Sequence, residues 1–279
     1  MFGRKTSAIV CIAKLENLYI REWVEYHLHL GVDHIYIYDN NDVDGERITD
    51  PISDWIAAGK VTVVDYRGRK VAQMEAYNDC YRRFKEKWLA FIDCDEFITF
   101  TPYGEKRYGK INSYLKRIFL YNSLRLNWLC YGDGGMISRA DAGVVERFVE
   151  SLPTEDIVNT HLKSIVRRSI PYLRWSSQPH IPDKGWLRVC DEGRHRMPKL
   201  QLFRTPTYKI LYIRHYLTKT LEEYIDQKMK RQAADQPGIV YTLDHFFACN
   251  KVTSEKLAYL EMRLGIDVAD RYRDRVVTD

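Results

Sequence analysis

A chain of 279 residues, 45% hydrophobic and 29% charged, has the ordinary balance of a globular protein and enough apolar material for one large or two modest domains. Its net charge of +5 is a mild excess. The basic clusters "YRGRK", "YRRFKEK", "IVRRSI" and "KMKRQ" therefore permit nucleic-acid binding without demanding it, because a diphosphate substrate or an anionic membrane face accounts for them equally well. Six cysteines (Cys11, Cys80, Cys94, Cys130, Cys190 and Cys249) show no C-x-x-C spacing, which argues for reduced thiols and against a zinc site or a disulfide framework.

In chain order, the apolar run Ala8 to Ala13 reads as a buried parallel strand and is too short for a signal peptide. With no other stretch able to span a bilayer, the expected location is the cytoplasm, with peripheral attachment to the inner face of a membrane allowed. In "LENLYIREWVEYHLHLG", Leu15, Tyr19, Trp23, Tyr26 and Leu30 recur at steps of three or four, so a helix is predicted with Gly31 as its stop. "HIYIYDNND" is a strand running into a turn, "DPISDWIAAGK" a short helix ending at Gly59, and "VTVVDY" a third strand. "AQMEAYNDCYRRFKEK" is helical and "WLAFIDCD" is the fourth strand. Four alternations of strand and helix in fewer than 100 residues predict an α/β fold, a mostly parallel, doubly wound sheet of the nucleotide-binding kind.

Beyond residue 100 the pattern loosens. "YGEKRYGKINSYLKRIF" predicts a loop and helix, "SLRLNWLCYGDGG" a strand entering a glycine-rich turn, and "HLKSIVRR" and "LRWSSQPHIP" shorter antiparallel strands. "TLEEYIDQKMKRQAAD" is a helix closed by Pro237–Gly238, and "SEKLAYLEMRLG" another, with Ser254 as N-cap and Gly265 as stop. The expected organisation is one main domain over residues 1–235 with a helical extension over 236–279.

Three carboxylates interrupt the apolar run "WLAFIDCDEFITF": Asp93, Asp95 and Glu96. Either the strand ends at Asp93 and the acids are solvated in a turn, or a cation compensates them. Asp39, Asp65 and the Asp93–Asp95 pair all stand where apolar runs end, and open α/β sheets bind ligands beyond the carboxyl ends of their strands. Together they suggest a polar cleft along one sheet edge.

Seven blocks occur in order: "ENLYIREWVEYHLHLGVDHIYIYDNND", "QMEAYNDC", "WLAFIDCDEFI", "LNWLCYGDGG", "HLKSIV", "QPHIP" and "IRHYLTKTLEEYIDQKMKR". They resemble glycosyltransferases of the family 2 and family 92 type, with a GT-A fold and a D-x-D motif. Two departures are visible: Leu15 stands before Glu16 where Asn is usual, and Asp133 occupies the glycine-rich turn where a small residue is usual. The resemblance implies a UDP-sugar donor, Mn²⁺ or Mg²⁺, and transfer with inversion to a glycan or lipid-linked glycan. The expected acceptor belongs to bacterial surface polysaccharide synthesis, and galactose is the expected sugar.

On that resemblance, Asp95 binds metal and Asp93 binds metal or nucleoside, while Glu96 either supports them or solvates the turn. Asp39, Glu16, Gln73 and Asn78 are expected along the nucleotide. His215 is expected on the metal, with His180 as the alternative, and Lys219 on the diphosphate. Inversion needs a carboxylate base; Asp133 leads, followed by Asp191, Glu192 and Asp183. Trp128, Tyr131, Trp175 and Trp186 are candidates for sugar stacking, set against plain core packing. The competing reading is a non-catalytic sugar- or polyanion-binding protein on a degenerate transferase fold. Intact aspartates at both D-x-D positions weigh against it.

Overall fold

The computed structural model describes residues 6–231, 238 and 240–277. By contact, these residues form two compact units. The first comprises residues up to Leu129 together with Pro153–His215, and the second gathers Cys130–Leu152, Tyr216 onward and the chain from Gly238. The expected boundary between 235 and 236 lies outside the described residues.

The first unit begins with β1 (Ser7–Ala13), α1 (Ile20–Leu30), β2 (His34–Asp39), α2 (Ser53–Ala57), β3 (Val61–Asp65), α3 (Gln73–Arg83) and β4 (Trp88–Phe91). β1 pairs in parallel with both β2 and β4, and β2 with β3. Every residue of β1, β2 and β4 is buried, as expected of parallel strands covered on both faces. The expected α/β class is therefore met in this half of the sheet.

Gly31 ends α1 in the left-handed region at φ 99°, with its N–H on Leu28 O and the N–H of Val32 on His27 O. A side chain at Gly31 would also meet Lys110 at 2.9 Å. Much of the high tyrosine content is core. Tyr36, Tyr38, Tyr77 and Tyr81 pack between sheet and α3, with hydroxyls satisfied by Glu86, Asp79, Asp93 and the Arg168 carbonyl.

The rest of the sheet is antiparallel or mixed, formed by β5 (Glu96–Phe100), β6 (Ser123–Tyr131), β7 (Leu162–Arg167), β8 (Val189–Cys190), β9 (Arg196–Met197) and β10 (Leu211–Tyr216). The order across the sheet is β3-β2-β1-β4-β7-β6-β10-β5. Thus "WLAFIDCDEFITF" is two strands. The chain turns at Asp93–Glu96, where the Glu96 N–H donates to the Asp93 carbonyl, and β5 leaves to pair with β10 on the far side of the sheet. The predicted strand "LRWSSQPHIP" is absent. Only an isolated bridge joins Arg174 to Lys184 there, because Trp175 turns inward to the core at 1% exposure.

In the second unit, helix Ser254–Leu264 and its neighbours enclose a core of Leu221, Tyr224, Phe246, Leu257 and Leu260. Its N-cap is Thr253, whose hydroxyl accepts the Lys256 N–H, rather than the predicted Ser254. The predicted helix after Thr220 is a single turn at Leu221–Glu223 followed by a π-helical turn over Tyr224–Lys228; the predicted stop at Pro237 lies outside the described residues.

Candidate functional site

The acids at the end of β4 are held from three elements. α1 packs on β5: Trp23 Nε1 donates to the Glu96 carbonyl at 2.8 Å, and the buried His27 accepts the Ile98 N–H at 3.2 Å. Burial pushes His27 down to about 3, so its ring is neutral and its Nδ1–H donates to the Trp23 carbonyl. From α3, Gln73 donates to Asp93 Oδ1 at 2.7 Å, joined by the Tyr77 hydroxyl at 3.3 Å. β7 contributes Lys163, one position beyond the Phe91–Ser164 pair that closes β4.

Lys163 is 1% exposed, and its ammonium lies 2.5 Å from Asp93 Oδ2 and 3.4 Å from Glu96 Oε2. One buried cation thus serves two acids. Burial works against the Lys163 charge, but Asp93 and Glu96 together raise its affinity for the proton. Burial would likewise lift Asp93, yet Lys163 holds it below the usual carboxylate range. Glu96 is fully buried and is pushed up to about 8, by desolvation first and then by Asp93 and Asp95, against the pull of Lys163. Its Oε2 accepts the Asp93 N–H at 2.9 Å. Glu96 is thus bonded within the turn and not solvated.

Asp95 is buried and faces β10. His215 sits opposite Glu96 in the β5–β10 register, and its Nε2 lies 3.6 Å from Asp95 Oδ1. The residues fit a hard divalent cation in a limited way. A carboxylate oxygen and an imidazole nitrogen at this separation can be adjacent ligands of one ion. Among the described residues, however, no group of three or more His, Cys, Asp or Glu is gathered for a metal. A cation here would complete its shell with water and substrate phosphate, as Mg²⁺ and similar ions commonly do. Asp93 does not join this pair, because Lys163 and Gln73 already hold its two oxygens.

Trp128 backs the pair. Its ring lies 4.2 Å from His215, 4.8 Å from a parallel His161 and 5.2 Å from His180, centroid to centroid. His180 thus shares the cluster without a place beside Asp95. Burial and the nearby Lys163 push it down to about 3, and its Nδ1, like Trp128 Nε1, has no hydrogen-bond partner among the described residues. His161 carries the stack outward to a hollow of about 650 Å³ lined by Ile157, Phe203 and Arg204.

The remaining predicted residues are placed elsewhere. Asp39 organises the turn after β2, accepting the Asn41 N–H at 3.1 Å and its amide at 2.8 Å, with Arg67 at 3.5 Å. Glu16 is buried where α1 begins, its carbonyl accepting the N–H groups of Tyr19 and Ile20. Asn78 clamps the Trp175 backbone through two bonds and so does not reach toward a donor. Trp175 is core, while Trp186 is 77% exposed.

The acids considered for the base carry structural bonds. Glu192 accepts the N–H groups of Lys209 and Ile210, which anchors it at the opposite end of β10 from His215, about 16 Å away at the rise of a strand. Asp191 binds Arg204 at 2.7 Å and His195, and Asp183 binds Ser176 and Ser177. In the second unit, Asp133 is ion-paired with the buried Lys256 and accepts the Gly135 N–H at 2.8 Å. Tyr131 and Lys219 belong to that unit as well, both buried, Lys219 in the left-handed region at φ 57°.

The sequence reading missed Lys163. Its signal was present, as the one charge inside the apolar run "LKSIV".

A family model described as "Glycosyltransferase family 92" matches residues 6–231. The chain is similar to a glycosyltransferase family 92 protein of Arabidopsis thaliana, 30% identical over an alignment of 135 residues that covers 45% of this chain and 23% of that protein. It is also similar to a galactan beta-1,4-galactosyltransferase of the same plant, 35% identical over 89 residues, 28% of this chain and 17% of that protein. The matches span between 17% and 30% of the length of these curated relatives. Among solved structures, S. aureus TarS in complex with UDP-GlcNAc aligns over 95% of this chain and 70% of that chain, with a TM-score of 0.44 and 10% identity.

Proposed function

Since the chain belongs to glycosyltransferase family 92, we propose that it transfers a hexose, galactose first among them, from a UDP-sugar to a hydroxyl of a glycan or lipid-linked glycan, with inversion. The observation that carries this reading is the Asp95–His215 pair, 3.6 Å apart at the carboxyl edge of the sheet, where open α/β folds bind ligands. Support for galactose is the similarity to the Arabidopsis galactan beta-1,4-galactosyltransferase.

A divalent cation, when bound, would neutralise the negative charge that grows on the departing diphosphate. Asp95 and His215 would hold it. Lys163 and Gln73 fix the Asp93 carboxylate, while Glu96 holds the Asp93 backbone N–H, leaving the carboxylate oriented and one-third exposed at the cleft. Trp128, buried among three imidazoles, would back His215 rather than stack on the sugar.

Isothermal titration with Mn²⁺ and UDP tests the assignment. Asp95→Asn and His215→Ala are each expected to weaken Mn²⁺ binding at least ~10–100-fold while the thermal transition stays cooperative. Full UDP-galactose turnover in EDTA, or unchanged Mn²⁺ affinity in both folded variants, would remove the metal from the reading. Failure of the wild type to bind any UDP-sugar would favour the non-catalytic alternative.

A further inference from the structure

The edge of the first unit where β4 begins and β7 ends carries a surface that the proposed transfer does not use. A hollow of about 480 Å³ is walled by Lys85, Lys87, Arg167 and Arg168. The one acid on its wall, Glu86, is 6% exposed and accepts the Tyr36 hydroxyl at 2.8 Å, so it turns inward. Beside this basic wall stand three large apolar side chains in water: Phe119 at 69% exposure, Leu120 at 61% and Trp186 at 77%.

The two features form one surface, because hydrogen bonds to the backbone tie them together. Arg168 donates to the Lys87 carbonyl at 3.0 Å, and Arg167 reaches the Phe119 carbonyl at 3.4 Å. Asn122 joins the rest: its carbonyl accepts the Arg167 N–H, its amide holds the Trp186 carbonyl at 2.9 Å, and its Oδ1 accepts the N–H of the exposed Arg188 at 2.7 Å. The apolar groups thus stand on anchored backbone.

We propose that this surface docks the chain on an anionic lipid bilayer, with Phe119, Leu120 and Trp186 entering the interface and the lysine–arginine wall against the headgroups. Juxtaposed cations and protruding Trp, Phe and Leu match the two attractions that hold peripheral proteins at such surfaces, charge and apolar burial. Nucleic acid fits less well, because bases stack on aromatic faces and leave Leu120 without a role. The acidic motif lies at the opposite end of β4, so docking by this edge leaves the cleft open to the aqueous side.

Co-sedimentation of the full chain with vesicles tests the proposal. Wild type is expected to pellet with phosphatidylcholine–phosphatidylglycerol vesicles, not with pure phosphatidylcholine, and to be released by raised salt. Lys85→Gln with Lys87→Gln is expected to lower partitioning about 25-fold, at roughly fivefold per basic residue removed. Binding is expected to shift Trp emission to the blue, and Trp186→Ser to abolish that shift while its thermal transition matches wild type. No binding to anionic vesicles, equal binding to neutral ones, or unchanged partitioning of the lysine variant overturns the proposal. So does retention on polyuridylate without vesicle binding.

Discussion

Two buried ionic clusters in this protein obey different arithmetic. In the second unit, Arg147 meets Glu223 through two parallel bonds of 2.7 and 2.9 Å, and both side chains are 3% exposed. The Glu223 carboxylate also closes a capping box with Thr220, and the guanidinium donates once more to the Ala142 carbonyl. One cation faces one anion, and the hydrogen bonds are satisfied in a fixed planar fork. In the first unit, Lys163 faces both Asp93 and Glu96, and the imbalance raises the proton affinity of Glu96. The balanced pair locks backbone in place. The unbalanced one holds a carboxylate below its usual range and one-third exposed at the carboxyl edge of the sheet, which suits a site better than a core.

Breaking the balanced pair is expected to be the costlier act. Arg147→Met strands a buried carboxylate and should lower unfolding free energy by about 3–5 kcal/mol, read as a fall in the urea midpoint at constant slope. Next comes acid. Burial alone would raise Glu223, but the bonds from Arg147 and Thr220 outweigh it and hold the group at about 2, against 4.5 for a free glutamate. Its contribution is therefore complete above 4.5 and lost as pH falls toward 2, up to about 3 kcal/mol in all. Melting temperatures across that window should show the loss in wild type, and a smaller one in Glu223→Gln. Smallest is Lys163→Met: Glu96, whose proton affinity is already raised, can take up a proton and Asp93 can rehydrate, so about 1–2 kcal/mol is expected. A loss as large as that of Arg147→Met would show that the two clusters are alike after all.

The parallel half of the sheet was legible because its strands are buried on both faces and so are written as continuous apolar runs: "AIVCIA", "IYIY", "WLAF". α1 announced itself by spacing, and Gly31 by the positive φ that only glycine adopts cheaply. β10 is not legible as a strand, because "LYIRHY" mixes buried and half-exposed positions and its charge and imidazole resemble loop chemistry. Likewise nothing marks β5 as a strand separate from the apolar run of β4, since a tight turn between two buried strands leaves little compositional trace.

What the sequence determined by itself was local: the apolar periods, the helix stop at Gly31, and the placing of Asp93 and Asp95 where a buried run ends. Which charges face each other was decided only by tertiary structure. The antiparallel β4–β7 register brings Lys163 to Asp93 across 70 positions of chain, and the β5–β10 register brings His215 to Asp95. A shift of one residue would turn either side chain to the other face of the sheet. No residue type encodes that alignment; it follows from the packing of both sheet faces at once, and so the roles of Asp93, Lys163, His180 and Asp133 became readable only in the folded chain.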